Sequence, residues 1–153
     1  MTIASDRDLI AFHEGCTLVA KPDDKVKGTA WVIGYGRDIP APPDPSNPPT
    51  CTQDQAEAWL DADLMTARVR ASADIGPAWN NIDAVRRAVI VDMAYEIGGA
   101  GLAGFRNFIM AVRGSLWNTA AAELVDSKLY VEVPNREKMN VAMLLSGQWP
   151  VIA

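Results

Sequence analysis

At 153 residues the chain can bury a core without crosslinks and fits one domain, with room for two lobes around a cleft. Its composition, 49% hydrophobic and 22% charged, is that of a folded globular protein. A net charge of -5 and a pI near 4.8 exclude nucleic-acid binding through a general basic field, leaving Arg86, Arg87, Arg106 and Arg113 as a local basic patch.

Residues 5–14 predict a first helix: Ser5 can cap it, Asp6 and Asp8 suit its first turn, and Leu9, Ile10 and Phe12 give it an apolar side. Gly15 lets the chain leave. Residues 16–38 predict a small β region, with CTLVA, a polar turn PDDKVKG, and TAWVIGYG, in which Gly28, Gly34 and Gly36 serve turns or close approaches. The Pro-rich stretch 40–49 suits neither helix interior nor central strand and predicts an exposed, semi-rigid loop. Thr52 opens the next helix, with Gln55 at the capping-box position, and Gly76-Pro77 ends it. Asn81 or Asp83 starts DAVRRAVIVDMAYEIG, the most hydrophobic helix and the expected centre of the larger lobe. GGAGLAG reads as a glycine-rich connection. FRNFIMAVRG and LWNTAAAELVDS predict two further helices, VPN breaks the chain, and NREKMNVAMLLSG predicts the last.

Glu14 stands near the end of an apolar stretch and is followed by the acidic pair Asp23-Asp24 and a glycine-rich segment. Two acids facing a cleft would be a glycosidase-like arrangement, one carboxyl donating a proton and the other handling water. The same pattern fits acids that merely face solvent beside a turn. Cys16 and Cys51 make no disulfide framework, and His13, the single histidine, argues against a histidine-based zinc site, so no metal or cofactor is expected. The polar start MTIASDRD does not read as a signal peptide, and no stretch approaches the roughly 18 apolar residues of a membrane span.

Three blocks in register, HEG followed by Asp and VIGYGRD, then NIDAVRRAVIVDMAYEIGGAGLAGFRNF, then YVEVPNREKMNVAMLLSGQW, resemble the phage-type lysozymes, the T4-like muramidase endolysins. The resemblance covers almost the whole chain. It implies a single lysozyme-like α+β domain over 1–153. A small β-containing lobe would span about 14–50 and a helical lobe about 51–153, with helix 5–14 packed near the latter and the active-site cleft between the lobes. Glu14 matches the family's general acid. Asp23 matches its second carboxylate, with Asp24 an adjacent alternative, and the inverting reaction would set the two groups roughly 6.5 to 9.5 Å apart. Val32 stands where the family usually has a threonine that helps hold the attacking water. Thr29 is an alternative hydroxyl, weak activity is a second reading, and an inactive member of the fold a third. Arg136 matches an arginine beside the catalytic glutamate. Asp92, Glu96, Tyr95 and Phe105 are expected substrate contacts, Trp31 a possible stacking surface, and Trp149 a packing residue. Arg37, where some relatives have histidine, is expected to pair with a carboxylate.

The implied activity is hydrolysis of the β-1,4 bond between N-acetylmuramic acid and N-acetylglucosamine in peptidoglycan. The implied protein is a monomer without nucleic-acid or stable membrane association. It is held in the host cytoplasm before lysis, acts on the wall in the periplasm, and is delivered through the action of a separate phage membrane protein. A peptidoglycan-binding or virion structural module and a lytic transglycosylase are the alternatives.

Overall fold

The computed structural model describes residues 1–24 and 30–152. In chain order, α1 (Asp6–Glu14) leads to three strands, β1 (Thr17–Pro22), β2 (Trp31–Gly34) and β3 (Arg37–Ile39). The helices α2 (Gln53–Ile75), α3 (Ala84–Ala103), α4 (Arg106–Arg113), α5 (Trp117–Val125), α6 (Lys128–Glu132) and α7 (Pro134–Ser146) follow, with a 3-10 turn at Gly76–Asn81 between α2 and α3. A small sheet followed by a helical region is the lysozyme-like α+β class that the sequence predicts.

The chain divides into two compact units, Ala11–Asp63 and a second made of Met1–Ile10 with Leu64–Ala153, so the divide falls within α1 and α2. In the smaller unit the strands run antiparallel in the order β1-β2-β3. β2 and β3 pair symmetrically about Tyr35: Ile33 faces Arg37, Val32 faces Asp38 and Trp31 faces Ile39. Beyond the Pro-rich loop the chain returns to the outer edge of β1, where Ala20 N–H donates to Pro49 O at 2.8 Å and Cys51 N–H to Leu18 O at 2.9 Å. The loop is therefore tied at its end rather than simply bridging onward. Ala20, Ile33, Ala56 and Leu60 are among the buried apolar residues described in this unit.

In the larger unit the residues from Ala88 to Ala94 are buried in an unbroken run. Over this stretch α3 is enclosed on every side, as its hydrophobicity predicts. Asp83 caps it, accepting from Arg86 N–H at 3.0 Å. One expectation is corrected here, and one unassigned segment is filled. GGAGLAG is not a connection: the chain kinks at Gly98 (φ 71°, ψ 179°) and turns helical again to Ala103, held by the fully buried Leu102. The segment before VPN, which the sequence left unassigned, forms α6, begun by Ser127, whose hydroxyl accepts from Tyr130 N–H at 3.2 Å.

Three arginines of the supposed basic patch serve carbonyl groups at helix ends. Arg113 donates to Ile75 O and Asp74 O, both at 2.9 Å, at the end of α2. Arg86 donates to Leu144 O at 2.8 Å in the last turn of α7, and Arg87 to Trp79 O at 2.6 Å in the 3-10 turn. The orphan carbonyls of a helix C-terminus and its partial negative charge both favour a guanidinium there.

Candidate active site

α1 ends on Glu14. Gly15 then takes φ 62°, its N–H closing the last turn on Ala11 O at 3.0 Å. Glu14 is half-buried. The β2–β3 turn places Gly34 and Gly36 at φ 65° and 71°, left-handed backbone that glycine adopts without a Cβ penalty. A Cβ on Gly36 would overlap the Glu14 carboxylate, lying 2.7 Å from its Cδ. The turn backbone is thus laid directly against the carboxyl group, which explains the second glycine of GYG. The turn is anchored on α2: Tyr35 Oη donates to Glu57 Oε1 at 2.8 Å, and Gln53 Nε2 donates to both, at 3.1 and 2.8 Å. Arg37 lies 5.2 Å above the Trp59 ring, a cation-π contact.

Asp23 follows β1 and is half-buried, its N–H donating to Ala30 O at 2.9 Å, while Asp24 is exposed. Thr29 lies outside the described residues. Val32 is half-buried in β2, between Lys21 of β1 and Asp38 of β3. Asp38 went unnoticed in the sequence. Partial burial holds its carboxyl above the usual range, and the charges of Asp23, Glu14 and Asp63 push it further. The acids therefore share one field. Counting outward from Tyr35 along a symmetric hairpin would have put Asp38 opposite Val32, but the length of the hairpin loop is not given by the residues alone.

In the larger unit a second group of charges is almost closed to solvent. Arg136 donates to Asp92 through Nη2 at 2.6 Å and Nε at 3.1 Å, the bidentate fork suited to a carboxylate. Asn140 Nδ2 donates to Asp92 Oδ2 at 2.8 Å and to Glu137 Oε2 at 3.3 Å. Arg136 Nε is also 3.4 Å from Glu96 Oε2. Asp92, Glu137 and Asn140 have no exposed surface, and the Glu96 side chain is 10% exposed. Burial above all raises the Glu96 carboxyl, to about 9. Arg136 opposes the shift, and Glu137 and Asp92 add to it. Glu137 is raised too, chiefly by burial, against a lowering hydrogen bond from Glu96. Oxygens of Asp92, Glu96 and Glu137 lie within 4.8 Å of one another, close enough for a cation or a proton between them.

The expected sugar contacts thus separate. Asp92 offers no surface to a substrate and serves Arg136 instead. Glu96 presents only its edge. Tyr95 and Phe105 are half-buried, Phe105 meeting Phe108 edge to face with centroids 6.3 Å apart. Trp31, in β2 opposite Ile39, and Trp149 are half-buried as well. Glu14, Asp23 and Val32 belong to the smaller unit; Asp92, Glu96 and Arg136 belong to the larger. Glu137 and Asn140 were missed in the sequence, although their spacing from Arg136 on one helix was available as a signal.

The chain is similar to a probable T4-type lysozyme 1 of Dictyostelium discoideum, 24% identical over 68% of this chain and 62% of that protein. It is also similar to the pre-baseplate central spike protein Gp5 of Enterobacteria phage T4, 25% identical over 66% of this chain and 18% of that protein. A second Dictyostelium protein, a probable T4-type lysozyme 2, is 21% identical over 65% of this chain and 59% of its own length. The match spans less than two thirds of each of these relatives. The family model described as phage lysozyme matches residues 11–138, from the helix that carries Glu14 to the helix that carries Arg136, and the chain belongs to that family.

Proposed function

We propose that the chain is a muramidase that hydrolyses the β-1,4 bond between N-acetylmuramic acid and N-acetylglucosamine in peptidoglycan. The observation that carries this reading is the Glu14 carboxyl, half-buried at the end of α1 against the Gly36 backbone, in a unit whose other acids include Asp23 and Asp38. Glu14 is the general acid that protonates the glycosidic oxygen. Asp23 positions the attacking water from the opposite face, with inversion at the anomeric carbon. Asp23 is favoured over Asp24 because it is the less exposed of the two and because its carboxyl charge reaches Asp38. Arg136 is the supporting cation, and Glu96, Tyr95 and Phe105 are the proposed sugar contacts. The biological role that fits is a monomeric endolysin, held in the host cytoplasm and reaching the wall through a lesion made by another phage protein.

One observation favours a second reading. Val32 carries methyl groups at the position where the resemblance leads one to expect a threonine hydroxyl for the water, and valine supplies no hydrogen bond. A weakly active or non-cleaving wall-binding module follows from that loss. The deciding experiment is incubation with purified peptidoglycan and mass analysis of the fragments, wild type beside Glu14→Gln. Hydrolysis yields reducing ends that vanish in the variant. A wild type that binds the wall without releasing fragments selects the binding module, and anhydro products select a transglycosylase. A variant rate within about threefold of wild type removes Glu14 from its role, since general acid catalysis contributes about 100-fold or more.

A further inference from the structure

We infer that Glu96 of α3 and Glu137 of α7 share one proton at neutral pH beside the Arg136–Asp92 ion pair. Where it concerns the reaction, through Arg136, the inference rests on the muramidase reading; the pair itself does not.

Asp92 and Glu96 from α3, with Arg136 and Glu137 from α7, bring three carboxyl groups and one guanidinium into a region closed to water. Fully ionised, the group would carry two uncompensated negative charges, and an uncompensated buried charge neutralises by changing its protonation. Arg136 commits both Nη2 and Nε to Asp92. Its approach to Glu96 is a longer contact from a nitrogen whose hydrogen already points elsewhere.

Glu96 Oε2 and Glu137 Oε1 are each buried with no donor, yet the two side chains lie within hydrogen-bonding reach of one another. Two ionised carboxylates cannot bond, because both only accept. Placing one proton between them turns a repulsive pair into a donor and an acceptor.

The proton resides chiefly on Glu96. Glu137 sits in the first turn of α7, where the helix N-terminus favours an anion, and it receives Asn140 Nδ2. Glu96 has no such donor and is the group that burial raises most clearly. A bound cation would answer the same charge count. It is the poorer fit, because the Arg136 guanidinium already brings positive charge into the group.

The unfolded chain releases both protons near the ordinary carboxylate range, around pH 4.3. The folded chain keeps one to about 9. Between these limits the folded state binds more protons. Its stability therefore falls as pH rises through the window, the unfolding constant growing by up to about tenfold per pH unit.

The test is infrared difference spectroscopy of the full chain at neutral pH, with unfolding followed from about pH 5 to pH 9. Wild type should show the carbonyl band of a protonated carboxyl in a dry environment. Glu96→Gln, which replaces the protonated group by an uncharged donor of the same shape, should fold, lose the band and flatten the pH dependence. Glu137→Gln removes the partner anion and should shift loss of the band to lower pH. The Nε–H resonance of Arg136 should hold its position until the band disappears and move with it, a readout that simple packing would not produce. Absence of the band in wild type, or its survival in both variants, overturns the inference. So does a band that calcium or magnesium abolishes while raising the unfolding midpoint. Should Glu96→Gln not fold, titration of wild type carrying isotope-labelled glutamate carboxyls decides the question. None of these readouts depends on glycan cleavage, so the pair and the muramidase reading fail separately.

Discussion

Gly34 and Gly36 have nearly the same backbone, φ 65° and 71°, but very different surroundings. A Cβ on Gly34 would meet Trp59 and Ala56 at 3.4 and 3.5 Å, close to ordinary contact, whereas one on Gly36 would overlap the Glu14 carboxylate. Alanine at either position carries the left-handed penalty of about 1 to 2 kcal/mol. Only Gly36→Ala should also displace Glu14, with a loss of peptidoglycan cleavage on the order of 100-fold per folded molecule. Gly34→Ala should lose stability and keep most of its activity. Equal losses per folded molecule would mean that the turn, and not its contact with Glu14, is what matters. Val32 allows a complementary test, because threonine has nearly its shape. Val32→Thr should raise cleavage or leave it unchanged, against a cost of roughly 1 to 3 kcal/mol if the new hydroxyl is buried unpaired. A folded Val32→Thr that is clearly slower would show that the water is placed by Asp23 and backbone alone. Glu14 and Asp23 could be named as candidates from the sequence, because the resemblance matches both residues and the spacing between them. Asp38 was not, because its place beside them comes from the pairing of β3 with β2.

Elements were legible where a segment's own residues decide its conformation. Asn81 or Asp83 ahead of an apolar run bracketed the start of α3, which falls at Asp83, and Gly76-Pro77 gave the end of α2. The last turn of α3, beyond Gly98, was not legible, since glycine lowers helix propensity by about 1 kcal/mol per residue, and the buried Leu102 works against that. α6 is five residues long, too short to display a period. The arginine caps were hidden for a third reason: their carbonyl partners lie far along the chain, Ile75 for Arg113 and Leu144 for Arg86. Arg113→Met keeps most of the aliphatic stem and removes both donors. The denaturant midpoint should fall by about 1 kcal/mol equivalent with an unchanged m-value. A midpoint within error of wild type would show that water satisfies the end of α2 equally well.

At the scale of the whole molecule, the net charge of -5 opposes approach to an anionic wall, and three of the four clustered arginines are directed to helix ends. If the chain cleaves peptidoglycan, its initial rate should rise as ionic strength increases from about 0.01 to about 0.1 M, because screening shortens the reach of that repulsion from roughly 30 to 10 Å. A rate that falls from the lowest salt onward would show that local cations govern docking. No described helix is long and apolar enough to cross a membrane. The division into units carries a consequence for biosynthesis. Ile3, Leu9 and Ile10 are buried and belong with residues 64 onward, yet residues 11–63 separate them in the chain. A ribosome therefore releases three apolar side chains well before their partners exist, and completes the small unit in between. The larger unit joins this segment only to residues made after the small unit, so a chain stalled before residue 64 would leave Ile3, Leu9 and Ile10 open to chaperones and proteases.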